Sequence, residues 1–340
     1  MTPWHVSEKD FPNNGSLHEQ MQFILRYAVL ALSFYNSQPW NLSINDTANQ
    51  INVYLKNSHW QKVADQAPHA ISLHLGCSLE NMLVAIDYFG LGHSVAYFPE
   101  SDHDHWVARV SVVMGRQTVE PRPAYLFGAI GRTQIYHYTY RSQAIRPEDM
   151  DNIEDFLVNF KYEDSDMNHR IHLETSSNTT LRKEIGRLVS HSDAIMFSDP
   201  AFRKELNELL AQSDYGEPWW YNTHLGRQCK IDGEMGEYVA EQESQIVSSA
   251  PVIGILASNY DNPTALIKIG QAHERIALEA NLLGVGIYPM FQLIELQEMK
   301  SMVENMFPAL HGKPQLIFAM GDVKKGHKDD MTPRIPVEEV

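Results

Sequence analysis

The chain has 340 residues, a formal net charge of −16 and two cysteines, Cys77 and Cys229. That length allows one large domain or two ordinary ones with a sizeable core. The acidic balance argues against nucleic acid and anionic membrane surfaces as partners, and two distant cysteines fit a reducing compartment better than a disulfide framework. No stretch approaches about 18 uninterrupted apolar residues, and MTPWHVSEKDFPNN has no apolar segment, so neither a membrane span nor a secretory signal is expected and a cytoplasmic location is the default.

Helical spacing of Met21, Ile24, Leu25, Ala28, Val29 and Leu32 predicts a helix over 17–32. A junction follows, ALSFYNSQPWNLSI, and then a strand at 51–56, INVYLK. Leu75, Leu79, Leu83 and Ile86 place a long helix over 70–90, and SVAYF at 94–98 and WVARVSVVM at 106–114 read as strands. EPRPA at 120–124 breaks the pattern. Pro147 and the acids after it suit a helix first turn. RIHLE at 170–174 predicts a strand, 178–193 and 200–212 two helices, APVIGILAS at 250–258 a buried strand, 264–283 a long helix and PQLIFAMG at 314–321 a last strand. Between them, residues 213–238 read as one long irregular loop, a length that in compact domains is usually functional or disordered.

The two long helices share a pattern: Gly76, Glu80, Gly90 and Gly92 recur as Gly270, Glu274, Gly284 and Gly286, each 194 residues on. Each copy is a helix ending in Gly-x-Gly before an apolar extended stretch, which predicts two halves of related fold. The halves are expected at 1–124 and 125–340.

The junction admits two readings. Asn36 can take a left-handed turn, Pro39 blocks a helix and Trp40 packs, which makes a plain helix stop. The whole string also resembles the nitroreductase superfamily, where an apolar helix ends in A-P-S-x-x-N-x-Q-P-W before a strand. Ala31, Ser33, Asn36, Gln38, Pro39 and Trp40 match in order, with Leu32 replacing the usual proline. Asp65, Gly76, Glu80, Asn81, Ala85 and Gly90 match a second family segment, with His69 in place of a basic residue; GQAHERIALEANLLGVGIYPMFQLIE resembles the flavin-floor helix and loop, and TPRIPVEEV the closing T-P-R-x-P-x-x-x-V. The order is most similar to the Acg-like branch, a fused pair of nitroreductase-like halves.

The resemblance implies an α+β fold with the two halves joined as a pseudo-dimer, FMN as cofactor, NAD(P)H as electron donor, and a small-molecule acceptor such as a nitroaromatic or quinone. It implies one complete site, because the Asn loop occurs only in half one and the Arg-bearing segment AIGRTQIYHYTY only at the start of half two. Arg334 would meet the FMN phosphate, with Arg132, and Gln134 and His137 in the same segment, as further contacts. Ser33, Asn36 and Gln38 would approach the ribityl chain or ring, and Pro289, Met290, Phe291 and Gln292 would line the ring. RTQIYH departs from the family's R-x-T-N-R and loses at least one cation, so phosphate affinity should fall. Three functions stay open: an oxidoreductase, an FMN-sequestering protein without turnover, and a flavin-free descendant. No catalytic acid or base is named, since flavin carries such chemistry. Trp219, Trp220 and Tyr221 make a candidate lid at about 195–245. A fused pseudo-dimer needs no second copy, so monomer or homodimer is expected. No metal site is expected: His103 and His105 in DHDHW lack a third ligand, and His273-Glu274 lacks the second His of H-E-x-x-H. Cys77 shows no His partner in the sequence.

Overall fold

The structure, a computed structural model, describes residues 3–56, 68–100, 105–115, 121–158, 171–212, 232–323 and 332–340. The elements in chain order are α1 (Leu17–Ala28), β1 (Trp40–Asn45), β2 (Gln50–Leu55), α2 (Pro68–Tyr88), β3 (Gly92–Tyr97) and β4 (Trp106–Val113). Then come α3 (Phe127–Ile130), α4 (Pro147–Val158), β5 (Ile171–Ser176), α5 (Thr179–Ser198), α6 (Pro200–Gln212) and α7 (Gly233–Ser249). The chain continues with β6 (Val252–Ser258), α8 (Pro263–Leu282), β7 (Val285–Pro289), α9 (Gln292–Glu295), α10 (Gln297–Met306) and β8 (Lys313–Asp322).

The architecture is α+β. Two four-stranded sheets have the same order, β1-β2-β4-β3 and β5-β6-β8-β7, and every neighbouring pair is antiparallel. Each long helix falls between the second and third strand of its sheet. Where the sequence alternates, as in β1, one face meets the core and the other meets water. Where it is continuously apolar, as in β6, both faces are buried: Val252 and Leu256 point to one core cluster, Ile253 and Ile255 to another. The first of these clusters lies against α8; the second lies against α5 and α7.

The glycines of the repeat do the joining. A Cβ on Gly76 would sit 2.1 Å from the Ile267 carbonyl oxygen, and one on Gly270 would sit 1.9 Å from that of Leu73. Helices α2 and α8 therefore cross backbone to backbone at these two residues, on the axis relating the halves. Gly90 and Gly284 both have φ of +76°, the left-handed residue that stops each helix. The crossing buries α8 on all sides, from Ala265 to Ala280.

The halves are not separate cores. Leu126, Phe127, Ala129 and Ile130, which follow Pro123, pack in the core around the first sheet, and Val337 and Val340 close on it from the C-terminal end. Two elements correct the expectations. Residues 233–238, read as loop, begin helix α7, and α10 carried no strong sequence signal. Among the described residues no helix is long and apolar enough to cross a membrane.

Candidate functional site

Between α1 and β1 the chain makes one short 3-10 turn, Phe34–Asn36, with a left-handed kink inside it. Tyr35, Asn36 and Gln38 all have positive φ, at 48°, 55° and 45°. For a tyrosine that backbone is costly, and three such residues in four persist only where the surroundings over-determine them. Here the surroundings are the other end of the chain. Asn36 Oδ1 accepts from Arg334 Nη1 at 2.7 Å, and Asn36 Nδ2 donates to the Pro333 carbonyl at 2.7 Å. The backbone N–H of Ile335 donates to Gln38 Oε1 at 2.8 Å. Within the loop, Gln38 N–H donates to Ser33 Oγ at 3.2 Å and Gln38 Nε2 to the Asn36 carbonyl at 3.3 Å.

Arg334 is 2 % exposed. Its Nη1 also reaches Thr332 Oγ1 at 2.5 Å, its Nη2 reaches the Leu30 carbonyl at 3.4 Å, and its guanidinium lies 4.7 Å above the Trp4 ring. Trp4 Nε1 donates to the Thr332 carbonyl at 2.8 Å, so the N-terminal arm clasps the C-terminal one. Burial lowers the Arg334 pKa to about 10, and the nearby Glu274 carboxyl opposes that shift.

From this loop the site runs across the helix crossing. The Leu32 N–H donates to Glu274 Oε2 at 3.4 Å, and the Phe34 N–H donates to His74 Nε2 at 3.0 Å. The accepting role of Nε2 puts the imidazole proton on Nδ1. Burial holds His74 neutral, with its pKa down to about 3, and raises that of Glu274 to about 8. Phe291 completes the junction, its ring 5.0 Å from His74 and 5.3 Å from Phe34. Thus Ser33, Asn36 and Gln38 of half one and Phe291 and Arg334 of half two meet around α2 and α8. Cys77, on α2, does have a histidine near it: His273 Nδ1 is 3.8 Å from its sulfur, a neighbour that only the crossing supplies.

Pro289 ends β7, and the Met290 N–H donates to the Ile317 carbonyl at 2.8 Å; both residues are buried. Gln292 leads away from Phe291 into a buried acidic group. Its Nε2 donates to Asp193 Oδ1 at 3.1 Å and to Glu243 Oε2 at 2.9 Å. Asp193 lies beside Glu243, whose charge disfavours its ionisation. Burial raises both, Asp193 well above the carboxylate range and Glu243 to about 7. Tyr35 and Tyr288 face the same pair, and Glu295 lies near Tyr35. Nothing in the sequence marks these acids, which sit 50 residues apart on helices α5 and α7.

The remaining expected residues lie apart from this network. Arg132 is exposed, and its Nε donates to Gly128 in its own turn of helix at 3.1 Å. Gln134 is half-buried. His137 packs edge-on to Tyr288 at 5.6 Å, and burial holds its pKa down to about 3. No described contact joins these three to Asn36 or Arg334. His69 bonds Gln315 at 2.8 Å, and burial lowers its pKa to about 4. Asp65, His103 and the Trp219–Tyr221 lid lie outside the described residues. The helices flanking that lid are described, and they close on the loop: Phe197, Phe202, Leu206, Met235 and Val239 form a cluster around Tyr35. Among the described residues no group of three or more His, Cys, Asp and Glu side chains could hold a metal.

The place related to this junction by the 194-residue shift is built differently. Tyr97 stands for Phe291, and Lys268 for His74, with the Lys268 ammonium 5.4 Å over the Tyr97 ring. Glu80 stands for Glu274 but is ion-paired, to Arg122 Nε at 2.9 Å and Arg275 Nε at 2.5 Å. Burial alone would raise Glu80; the two guanidiniums outweigh it and hold the pKa down to about 2.

No protein-family model and no curated protein matches the chain. Solved structures similar to it include the FMN- and NADPH-dependent nitroreductase NfnB from Sphigopyxis sp. strain HMH, 12% identical, covering 63% of this chain and 96% of that one, with a TM-score of 0.45. The FMN-dependent nitroreductase NfnB from Mycobacterium smegmatis in complex with NADPH is 12% identical, covering 62% of this chain and 93% of its own, at 0.42. A BluB-like flavoprotein from Clostridium difficile 630 is 16% identical, covering 63% and 96%, at 0.41.

Proposed function

We propose that the chain is an FMN-dependent oxidoreductase of nitroreductase type, taking hydride from NAD(P)H and reducing a small acceptor such as a nitroaromatic or quinone. The observation that carries the reading is the bonding of Asn36 and Gln38 in half one to Arg334 and Ile335 in half two, some 297–298 residues apart. Asn36, Gln38 and Arg334 are positions at which the chain resembles the family, and all three are buried in one polar network.

The ring end of the site fits a flavin. Phe34 and Phe291 offer apolar cover. His74 Nδ1, a donor on a ring packed against Phe291, is buried and has no hydrogen-bond partner among the described residues. A flat ring with mixed donors and acceptors satisfies groups of that kind, and an unsatisfied buried polar atom costs about 1–3 kcal/mol. When bound, the flavin would supply hydride acceptance and delivery. The chain's part is to hold the Asn loop rigid through Arg334, to keep His74 as a neutral donor and to exclude water with Phe291. The phosphate end fits less well, with Arg334 engaged by Asn36, Thr332 and the Leu30 carbonyl.

Absorbance of the purified protein between about 300 and 550 nm, before and after adding FMN and removing the excess, tests cofactor binding. Bands near 370 and 450 nm (expected of any flavin) support the reading; a protein that stays colourless refutes it. A second reading, a protein that holds flavin without turnover, draws support from the helical cluster over Tyr35, which closes the loop from one side. NADPH oxidation under air separates the two, because a sequestering protein binds flavin and consumes nothing.

A further inference from the structure

The cations that should meet a flavin phosphate are not arranged to do so. Arg334, the best placed by resemblance, is engaged on every side: Asn36 Oδ1, Thr332 Oγ1 and the Leu30 carbonyl accept from it, and Trp4 covers its face. Only its Nε lacks a partner among the described residues, and that atom is buried. The Glu274 carboxyl, which accepts from the Leu32 N–H, lies near the guanidinium and is held largely uncharged by burial, its pKa raised to about 8. Arg132 is exposed and bonded back to its own helix. His137 is held uncharged by burial, and the neighbouring Tyr136 N–H is taken by the Ile287 carbonyl.

The ring end shows the opposite character. His74 is 2 % exposed and keeps one unpartnered donor, Nδ1, on a ring 5.0 Å from that of Phe291. A neutral donor beside an aromatic face suits an uncharged heteroaromatic ring. It brings no charge to a phosphate.

We infer that the site recognises the isoalloxazine and ribityl parts of a flavin and leaves the phosphate in solvent, so that riboflavin is as good a ligand as FMN. The inference rests on the flavin reading above and narrows its ligand class. A guanidinium–phosphate contact is worth about tenfold or more in affinity for each charge-assisted bond, so the alternative is easily distinguished.

The test titrates the full chain with riboflavin and with FMN, following quenching of flavin fluorescence, at about 50 and 500 mM NaCl. Expected are dissociation constants within about threefold of each other and little change with salt. FMN binding about tenfold or more tighter, with the gap closing at high salt, overturns the inference and leaves the flavin site standing. Failure of both ligands to bind overturns the inference together with the flavin reading. Arg334→Gln adds a second readout. As a strut for Asn36, Arg334 affects both ligands alike, so the variant should weaken riboflavin and FMN by the same factor; a loss confined to FMN makes it a phosphate ligand and the inference fails. Should that variant not fold, the comparison on the unaltered chain decides alone.

Discussion

Replacing Gly270 by Ala tests the central joint of the molecule. The added Cβ would stand 1.9 Å from the Leu73 carbonyl oxygen, whereas ordinary van der Waals contact begins at 3.4 Å. The obstacle is helix backbone, which has no rotamer to yield, so α2 and α8 must part by about 1.5 Å. A gap of even 0.5–1 Å forfeits roughly a quarter to a half of the dispersion well for each atom pair it opens. Overpacking of this sort costs about 1–3 kcal/mol in ordinary cores, and the upper end or beyond is expected here, because a helix buried on all sides from Ala265 to Ala280 is displaced. Gly76→Ala meets the Ile267 carbonyl at 2.1 Å and should cost as much. The double variant should cost clearly less than the sum, since helices parted by one methyl have room for the other. Gly90→Ala and Gly284→Ala are the controls: nothing lies within 4 Å of either Cβ, so only the left-handed backbone is penalised, by about 1 kcal/mol. Thermal unfolding should show a fall of about 5 °C or more for the crossing variants and a smaller one for the controls. If Gly270→Ala melts with the parent chain, or if the double variant is strictly additive, the backbone-to-backbone crossing is wrong.

Glu80→Gln should destabilise the chain by about 3–5 kcal/mol in denaturant titration, because it leaves the buried guanidiniums of Arg122 and Arg275 short of charge. Asn36→Ala removes the bonds to Arg334 and Pro333 while keeping a side chain on a left-handed backbone; a loss of about 2–3 kcal/mol is expected, with faster hydrogen exchange in residues 332–340. The Asp193–Glu243 pair should make stability depend on pH. Glu243 is raised to about 7 in the folded chain, from an ordinary 4.5, so between those values the folded state keeps a proton that the unfolded state releases, and this contribution weakens stability as pH rises. The buried imidazoles of His74 and His137 act in the opposite sense below about pH 6.5, so the comparison to make is with Asp193→Asn, whose amide can still donate to Glu243. Its advantage over the parent chain in thermal melts should be small at pH 5 and grow toward pH 7.5; a constant difference refutes the coupling of the two acids.

Much of this molecule is legible in the sequence because its elements bury complete faces. The long helices, the continuously apolar β6 and the alternating β1 each follow from what surrounds them. The repeat of Gly76 and Glu80 at Gly270 and Glu274 was readable because a helix crossing this close admits no side chain at one position in each helix. What was not legible depends on neighbours distant in the chain. Helix α7 looked like loop because of Gly233 and Gly236, yet Gly236 is small for a packing reason: a Cβ there would meet Phe197 at 2.4 Å. Arg122 sat in a Pro-bearing break and is instead the buried partner of Glu80 and Asp87. Asp193 and Glu243 carry no local mark in the sequence that two helices close over them. Asn36, Gln38 and Arg334 each stood out in the sequence by resemblance; that they share one hydrogen-bonded network was not legible there.

The shift of 194 residues has one more consequence. In an assembly of two identical chains, any change at a crossing position arrives on both sides of the axis at once, and neither side can be adjusted alone. Here His74 and Lys268, Phe291 and Tyr97, Glu274 and Glu80 occupy related places yet are specified separately. One side holds a neutral acid and an imidazole, the other a network of salt bridges. With both halves in a single polypeptide, one side can serve as a rigid brace while the other is free to vary, and a mutation in the brace need never touch the chemistry opposite.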